Sequence, residues 1–411
     1  MIQRQRNKKR RWSDYICNGM TYGASAISAI VLAAILFFVF IKGASSIRWD
    51  LFVQDYWPSN YSITIETDKN KVGEFEVPTS LDEDAYFSKK WGIVLKDEKD
   101  GEESVVMTQI VPDSPFHYLL DQSVKNNISS FQWKEGLMLE KLDYVDKQGN
   151  TSMAGSLFMQ NAEDIVKVLD EDVTQITSMY VKTKGGGIRG SIISTFYLLG
   201  ISLLFALPIG VSAALYLHEY ARKNKVCSWL RSMIEMLTGV PSILYGLMGV
   251  SVLFPVTQMF GATTTNLLLG GLTLAILLLP TIIRSTEEAL RVIPQSLRDG
   301  SLSLGATSSQ TIFKVVLPCA IPGILTGVLL SIGRVIGESA ALIYTIGTFI
   351  NDSPGLLTQG TSLAVHIWSM MNMEQPNFEM AAAISLIILA FVCLLNISMK
   401  ILSKYWYRKW N

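Results

Sequence analysis

Six stretches of the chain stay apolar long enough to cross a bilayer, and one long stretch between the first two does not. The apolar runs lie near 20–41, 191–217, 233–260, 267–283, 321–349 and 380–402. Runs of about 18 or more apolar residues read as membrane spans. The pattern predicts an all-α polytopic membrane protein with six transmembrane helices. Residues 44–187 interrupt it: polar residues, Gly and Pro alternate there with short strand-like runs. The expected organisation is a first helix within 1–43, a water-facing insertion over 44–187, and a core with helices two to six over 188–411.

Composition agrees, with 49% hydrophobic residues and a mean hydropathy of +0.30. The net charge of zero hides a split. The insertion carries 14 Lys/Arg against 25 Asp/Glu, a net of −11, and the remainder carries +11. The basic residues sort to one side. They are Arg4, Arg6, Lys8, Lys9, Arg10 and Arg11 at the start; Arg222, Lys223, Lys225 and Arg231; Arg284, Arg291, Arg298 and Lys314; and Lys400, Lys404, Arg408 and Lys409 at the end. The opposite loops, 261–266 and 350–379, hold no Lys or Arg. Positive charge marks the cytoplasmic side. Both termini are therefore expected in the cytoplasm and residues 44–187 outside the cytoplasmic (cell inner) membrane. The basic start, apolar run and "KGASS" imitate a signal peptide, but the apolar run is long for one, so an uncleaved anchor is expected. Cys17, Cys227, Cys319 and Cys393 all lie outside the insertion, which has no disulfide of its own.

Within the insertion, "WGIVLKD", "ESVVMTQIV" and "TSMYVKT" read as strands, and "NAEDIVKVLDED" as a helix with an Asn cap and acidic first turn. A small α+β domain with a less structured lead-in is expected. The order "KKWGIVL", "VVMTQIVPDSPF", "KEGLMLEKLDYVDKQGN" resembles a bacterial PDZ domain over about 85–184. Glu140-Lys141 and Gln148-Gly149 stand where such domains usually have Gly-Asp and Asn-Gly. The resemblance implies that backbone amides at Trp91, Gly92 and Ile93 could hold a chain-end carboxylate. The other reading, favoured here, is a docking or spacer domain that binds no peptide.

The fifth run contains "GRVIGESA", residues 333–340, with a cation and an anion where oil is expected. Taking Pro322 as the inner helix end, Arg334 lies about 18 Å along, near the middle of a ~30 Å hydrocarbon core. Charge at that depth costs a few kcal/mol or more. On a continuous helix Arg334 and Glu338 share a face. Gly327, Ser331, Ala341 and Thr345 extend that face, and Val328, Ile332, Val335 and Leu342 lie opposite. A structural ion pair would explain the two charges. A polar transport path of Arg334, Glu338, Ser331 and Thr345 explains the whole face. An Arg there selects oxyanions, and Glu338 could accept a proton from a protonated one. Gly323/Gly327 and Gly333/Gly337 are two GxxxG pairs, a mark of closely packed spans.

Before the fifth run comes "SLRDGSLSLGATSSQTIFKVVLP". It is amphipathic and bounded by Pro294 and Pro318, so it predicts a short surface helix, with Gly305 allowing a tight turn. Asp299-Gly300-Ser301, then Leu304-Gly305, then Val315-Val316-Leu317-Pro318 keep the spacing of the inner loop in ABC importer permeases. "GVPSILYGL" and "PGILTGVLLSIGRVIGESAALIYT" resemble in particular phosphate permeases of the PstA type. The resemblance is close over 185–402 and excludes the insertion. It implies the type I importer fold. It also implies a second permease subunit in a heterodimer, two ATP-binding subunits that bind ATP and Mg²⁺, and an external phosphate-binding protein. Asp299, Gly300, Ser301, Leu304, Gly305, Ala306 and Pro318 would then form the coupling segment, about 295–311, that meets the ATPase.

No catalytic role is expected of the chain itself. "GGGIRGS" has Ser191 where a phosphate-gripping loop needs Lys. His117, His218 and His366 show no metal-ligand spacing. No cofactor, metal or nucleic acid is expected on this chain; its apolar faces meet lipid. Two further functions remain open: a permease for sulfate, molybdate or tungstate, or a membrane sensor subunit whose outer domain binds a ligand. A membrane protease would need a zinc or nucleophile motif.

Overall fold

Proline, glycine and asparagine punctuate the apolar runs, and the computed structural model follows that punctuation. It describes residues 2–78, 81–82, 84–98, 104–123, 129–221 and 224–410, with side chains between 15 and 401. The basic positions 4–11, 222–223 and 404–409 lie outside the described side chains. The chain divides into two compact units, Met1–Val53 with Ile188–Asn411, and Gln54–Gly187.

The first unit is helical. It comprises α1 (Ile2–Gly43), α2 (Trp49–Val53), α4 (Arg189–Leu215), α5 (Lys225–Thr238), α6 (Ser242–Met248), α7 (Phe254–Gln258), α8 (Leu267–Arg291), α9 (Gln295–Ser303), α10 (Ser308–Thr311), α11 (Leu317–Gly337), α12 (Ala340–Thr345), α13 (Leu363–Met371) and α14 (Phe378–Trp410); α3 (Ala162–Glu171) belongs to the insertion. Among the described residues five helices are long and apolar enough to cross a membrane, or six if a bent pair counts as one span.

That bent pair corrects the expected third span. The run near 233–260 is no single rod: Lys225–Thr238 and Ser242–Gln258 meet at 102°. Pro241 has no N–H to continue the helix and disfavours the α region for Val240 before it. The fifth span is corrected as well. It ends at Gly337 rather than near 349, because Glu338 is extended (φ −78°, ψ 125°) and the chain restarts as α12. A five-residue π turn, Ile312–Val316, leads into α11 just before Pro318. A second, Gly249–Leu253, stands before Pro255. A proline removes one i→i−4 bond and its ring crowds the preceding turn, which a widened turn relieves.

Small residues let α4, α8 and α11 close up. A β-carbon on Gly271 would come 2.5 Å from Ile201, and one on Gly210 2.7 Å from Ile282. Gly323 faces Ala289 and Gly327 faces Ser285 on α8. The first GxxxG pair is therefore a packing contact. The second makes no such contact among the described residues, where side chains at Gly333 or Gly337 would meet nothing within 4 Å. Asn266, fully buried, caps α8 through Leu269 N–H (2.9 Å). Buried His366 on α13 meets Ser191 Oγ at 2.8 Å, and burial pushes its imidazole down to about 4.

The second unit holds a nine-stranded sheet among the described residues, in the order β2-β3-β4-β7-β9-β1-β5-β6 with β8 on β7. The strands are β1 (Asn60–Ile65), β2 (Ala85–Ser88), β3 (Ile93–Glu98), β4 (Ser104–Ile110), β5 (Leu119–Asp121), β6 (Ser129–Phe131), β7 (Leu137–Val145), β8 (Thr151–Ala154) and β9 (Gln175–Lys182). Here the lead-in differs from its expectation. β1 sits inside the sheet, antiparallel to both β9 and β5. Ile63 and Ile65 alternate inward with a two-residue period and are buried in the core of this unit. α3 starts at Asn161, whose side chain takes Asp164 N–H at 2.8 Å. It buries Ala162, Ile165 and Leu169 at spacings of three and four.

Trp91 is the largest fully buried side chain of this core. Its Nε1 donates to Leu169 O (3.1 Å) and its ring stands edge-on to Phe116 at 6.3 Å. Trp91→Ala should destabilise the insertion by about 3–5 kcal/mol, the usual cost of emptying an aromatic core site. Hydrogen exchange on the full chain checks it. Protection should fall throughout 54–187 and stay unchanged in α4 and α8; undiminished protection would contradict this packing.

Candidate transport path and coupling segment

Arg334 stands in the last turn of α11, about 25 Å along the helix from Leu317 at 1.5 Å per residue. That corrects the mid-helix position expected for a longer span. The helix end helps to hold the charge, since carbonyls of the last turn carry partial negative charge. The side chain is half-buried. Among the described residues it makes no side-chain hydrogen bond or ion pair.

Glu338 does not pair with it. Its Oε1 accepts Ala341 N–H at 3.2 Å, which caps the start of α12. Its other carboxylate oxygen makes no hydrogen bond among the described residues. The helix break between them removes the shared face that a spacing of four would have made. The same break separates the other two expected path residues. Ser331 and Thr345 are fully buried. Their hydroxyls donate to their own helices, Ser331 to Gly327 O (2.9 Å) and Thr345 to Ala341 O (3.1 Å). Neither lines an open path. Gly333 and Gly337, the chain neighbours of Arg334 and Glu338, are positions where an added side chain would meet nothing within 4 Å; among the described residues Arg334 is left without a partner and Glu338 with one oxygen uncommitted. Val335 and Leu342, expected on the opposite side, are buried in the helical core.

The coupling segment is two short helices joined by a left-handed turn. Asp299, Gly300 and Ser301 lie on α9, Leu304 closes it, and Gly305 has φ +86°. Ala306 N–H reaches Ser301 O (3.3 Å) and Gly305 N–H reaches Leu302 O (2.9 Å). This is the Schellman arrangement, which needs a residue content with positive φ. Thr307 then caps α10 with Gln310 in a capping box. Leu304 is 91% exposed, and Leu297 and Gly300 are exposed on the same short helix. Pro318 sits in the first turn of α11.

Two charge clusters went unnoticed in the sequence. Between α5 and α8 a cavity of about 210 Å³ is lined by Arg231, Glu235, Arg284, Glu287, Glu288 and Arg291. Arg231 meets Glu287 at 3.2 Å and Arg284 meets Glu235 at 3.4 Å. The spacing of Arg284, Glu287, Glu288 and Arg291 on one helical run was the available signal. The second cluster, Arg298 with Glu219 at 2.9 Å, joins residues 79 apart and left no local signal.

The peptide-carboxylate loop is corrected. Gly92 has φ +65°, but its N–H already donates to Ser88 O (2.9 Å) and Trp91 N–H to Ser88 Oγ (3.3 Å). Ile93 pairs with Ser88 and Ile110 in the sheet. The Phe75 ring covers Gly92. β2 occupies the outer edge of β3, and Asp170 of α3 holds its end through Ser88 Oγ (2.7 Å) and Lys90 N–H (3.1 Å). The amides and the edge that a bound peptide would use are taken by the chain itself.

Residues 206–409 match the family described as binding-protein-dependent transport system inner membrane component. The probable ABC transporter permease protein YqgI of Bacillus subtilis (strain 168) is 36% identical over 222 residues, covering 49% of this chain and 74% of that protein. The chain belongs to this permease family. Phosphate transport system permease protein PstA of Haemophilus influenzae is 35% identical over 160 residues, 39% of this chain and 55% of that protein. PstA 2 of Mycobacterium bovis is 32% identical over 230 residues, 55% and 75% of the two. Among solved structures, the inward-facing MetNI methionine ABC transporter aligns at 21% identity and a TM-score of 0.44, over 53% of this chain and 95% of that one. The protein is a multi-pass inner-membrane ABC importer permease subunit, of a family that works with separate ATPase subunits and a binding protein and hydrolyses no ATP itself.

Proposed function

We propose that the chain is a permease of an ATP-driven importer that moves inorganic phosphate by alternating access. The observation that carries this is Arg334: a half-buried guanidinium with no carboxylate partner among the described residues, next in sequence to Gly333, where an added side chain would meet nothing within 4 Å. An unpaired cation in an apolar segment is costly unless an anion visits it. Phosphate is protonated in part at neutral pH, so it can donate to the uncommitted oxygen of Glu338; sulfate and molybdate have no proton to give and would be repelled. Sequence likeness to PstA proteins supports the same cargo.

In this reading a related permease completes a heterodimer, an external phosphate-binding protein delivers the cargo, and two ATP-binding subunits grip the loop over 284–320. Both termini face the cytoplasm and residues 44–187 face outward. The insertion is a degenerate PDZ-like docking or spacer domain, supported by β2 filling the edge of β3. The test is uptake of labelled phosphate by the chain reconstituted with its partner subunits, with and without ATP, against competing sulfate and molybdate. Uptake should need ATP and resist both competitors at tenfold excess. Equal competition by sulfate would overturn phosphate as the cargo. Absence of ATP-driven uptake of any of the three would overturn the transport reading.

A further inference from the structure

Arg298 is a joint between three elements. From α9, its Nη1 donates to Ile293 O (2.9 Å), and its Nη2 donates to Leu290 O (3.2 Å) and to Glu219 Oε1 (2.9 Å). The two carbonyls belong to the carboxyl end of α8 and the turn after it. Glu219 lies in the π turn Tyr216–Tyr220, which continues α4. Both side chains are nearly buried, at 12% and 11% exposure. The same carboxylate oxygen meets His218 Nδ1 at 2.9 Å.

Other contacts brace the joint. Tyr220 Oη meets Ser309 Oγ of α10 at 3.3 Å, and Ser301 Oγ meets Thr311 Oγ1 at 2.9 Å. Beneath them Leu215, Leu290, Ile293, Ile312, Val316 and Ala320 form one apolar cluster. It gathers the ends of α4 and α8, the π turn before α11, and α11 itself. Apolar packing is non-directional and lets a short helix slide or roll over it. A nearly buried, charge-assisted contact with fixed donor directions does not. Arg298 is partly buried while Leu297, Gly300 and Leu304 are exposed, so the pair sits away from the surface that α9 presents outward.

We propose that Glu219 and Arg298 are a positioning pair that makes α9 and the α4–α8 helix ends move as one body, so that a push on the coupling segment reaches the spans. The inference rests on the reading of 284–320 as the ATPase-contacting loop. Neither residue touches cargo or nucleotide in it.

The experiment uses the full chain with its partner subunits in proteoliposomes, as Glu219→Gln, Arg298→Gln, the double variant and Arg298→Lys. Four quantities are read: ATPase subunit retained, ATP hydrolysed, phosphate moved per ATP, and the distance between spin labels at exposed Ser303 and Tyr216. Glu219→Gln and Arg298→Gln should keep the ATPase and its hydrolysis, lower phosphate moved per ATP by about tenfold, and broaden the 216–303 distance distribution. The double variant should be no worse than either single one, because both remove the same contact. Arg298→Lys, which keeps the charge, should recover part of the yield. Unchanged phosphate per ATP, losses that multiply in the double variant, or losses that only follow a missing ATPase subunit would overturn the proposal. Should Arg298→Gln fail to accumulate, Glu219→Gln decides, since it keeps the shape and leaves both carbonyl bonds in place. A wild-type complex that moves no phosphate would instead sink the cargo assignment, and the label distance still tests the pair.

Discussion

Arg334→Gln should lower phosphate uptake by about one to two orders of magnitude while the chain still assembles with its partners. Hydrogen bonds to a charged group are worth about 1.5–3 kcal/mol, and each 1.4 kcal/mol is a factor of ten. Gln keeps much of the length and a polar end but loses the fixed charge and the forked donors that match an oxyanion. Assembly should survive because Arg334 neutralises no carboxylate among the described residues. Glu338 spends one oxygen on Ala341 N–H and has no contact with the guanidinium to lose. That distinguishes this pair from a buried ion pair, where removing one partner strands the other at a cost of about 3–5 kcal/mol. Arg334→Lys should fall between, keeping charge without the fork. Labelled phosphate uptake in membrane vesicles, normalised to the amount of complex recovered, measures both halves of the claim. Full uptake by the Gln variant would remove Arg334 from the path; lost complex would make it a structural residue after all.

Much of the fold is legible along the chain because long apolar runs and a polar insertion are local signals. The cap at Asn161, the strand at 93–98 and the turn at Gly305 follow from the identity of a few neighbours. What the sequence hides is where a helix stops inside an apolar run. "RVIGESAAL" has no proline, and its charged and small residues all occur inside helices, yet Glu338 leaves the helix and accepts Ala341 N–H at the start of the next one. A period of 3.6 residues therefore runs past the true helix end and puts Ser331 and Thr345 on a face they do not share. Val240-Pro241 misleads in the opposite sense: membrane helices tolerate Pro, so an apolar run with one proline reads as a continuous span and hides a turn of 102°. β1 escaped because six residues of "NYSITI" are brief, and their partners β9 and β5 lie far along the chain. The Glu219–Arg298 contact is of the same long-range kind. Local chemistry names an Arg and a Glu; only the fold brings them to 2.9 Å.

Gly305→Val should detach the coupling segment from its task, and the order of effects among substitutions at 305 is the signature. Gly305 holds φ +86° and closes α9 through the bond from Ala306 N–H to Ser301 O. A residue with a β-carbon pays roughly 1–2 kcal/mol for the left-handed region, and a β-branched one is worse still. Asn visits that region far more readily. A cost of that size changes a local equilibrium by about 5- to 30-fold. α9 has nine residues and few means to absorb it, so its last turn should unwind and move Leu304 with it. Steric conflict is not a rival cause, because a β-carbon at 305 would meet nothing within 4 Å. Loss should therefore follow backbone preference: slight for Asn, intermediate for Ala, large for Val. Co-purification of the ATPase subunit and its stimulated hydrolysis give the measurement. If Asn proves as damaging as Val, or if all three are equally harmless, the left-handed turn is not what the ATPase reads; a dependence on side-chain size alone would point to direct contact at 305 within the assembled transporter.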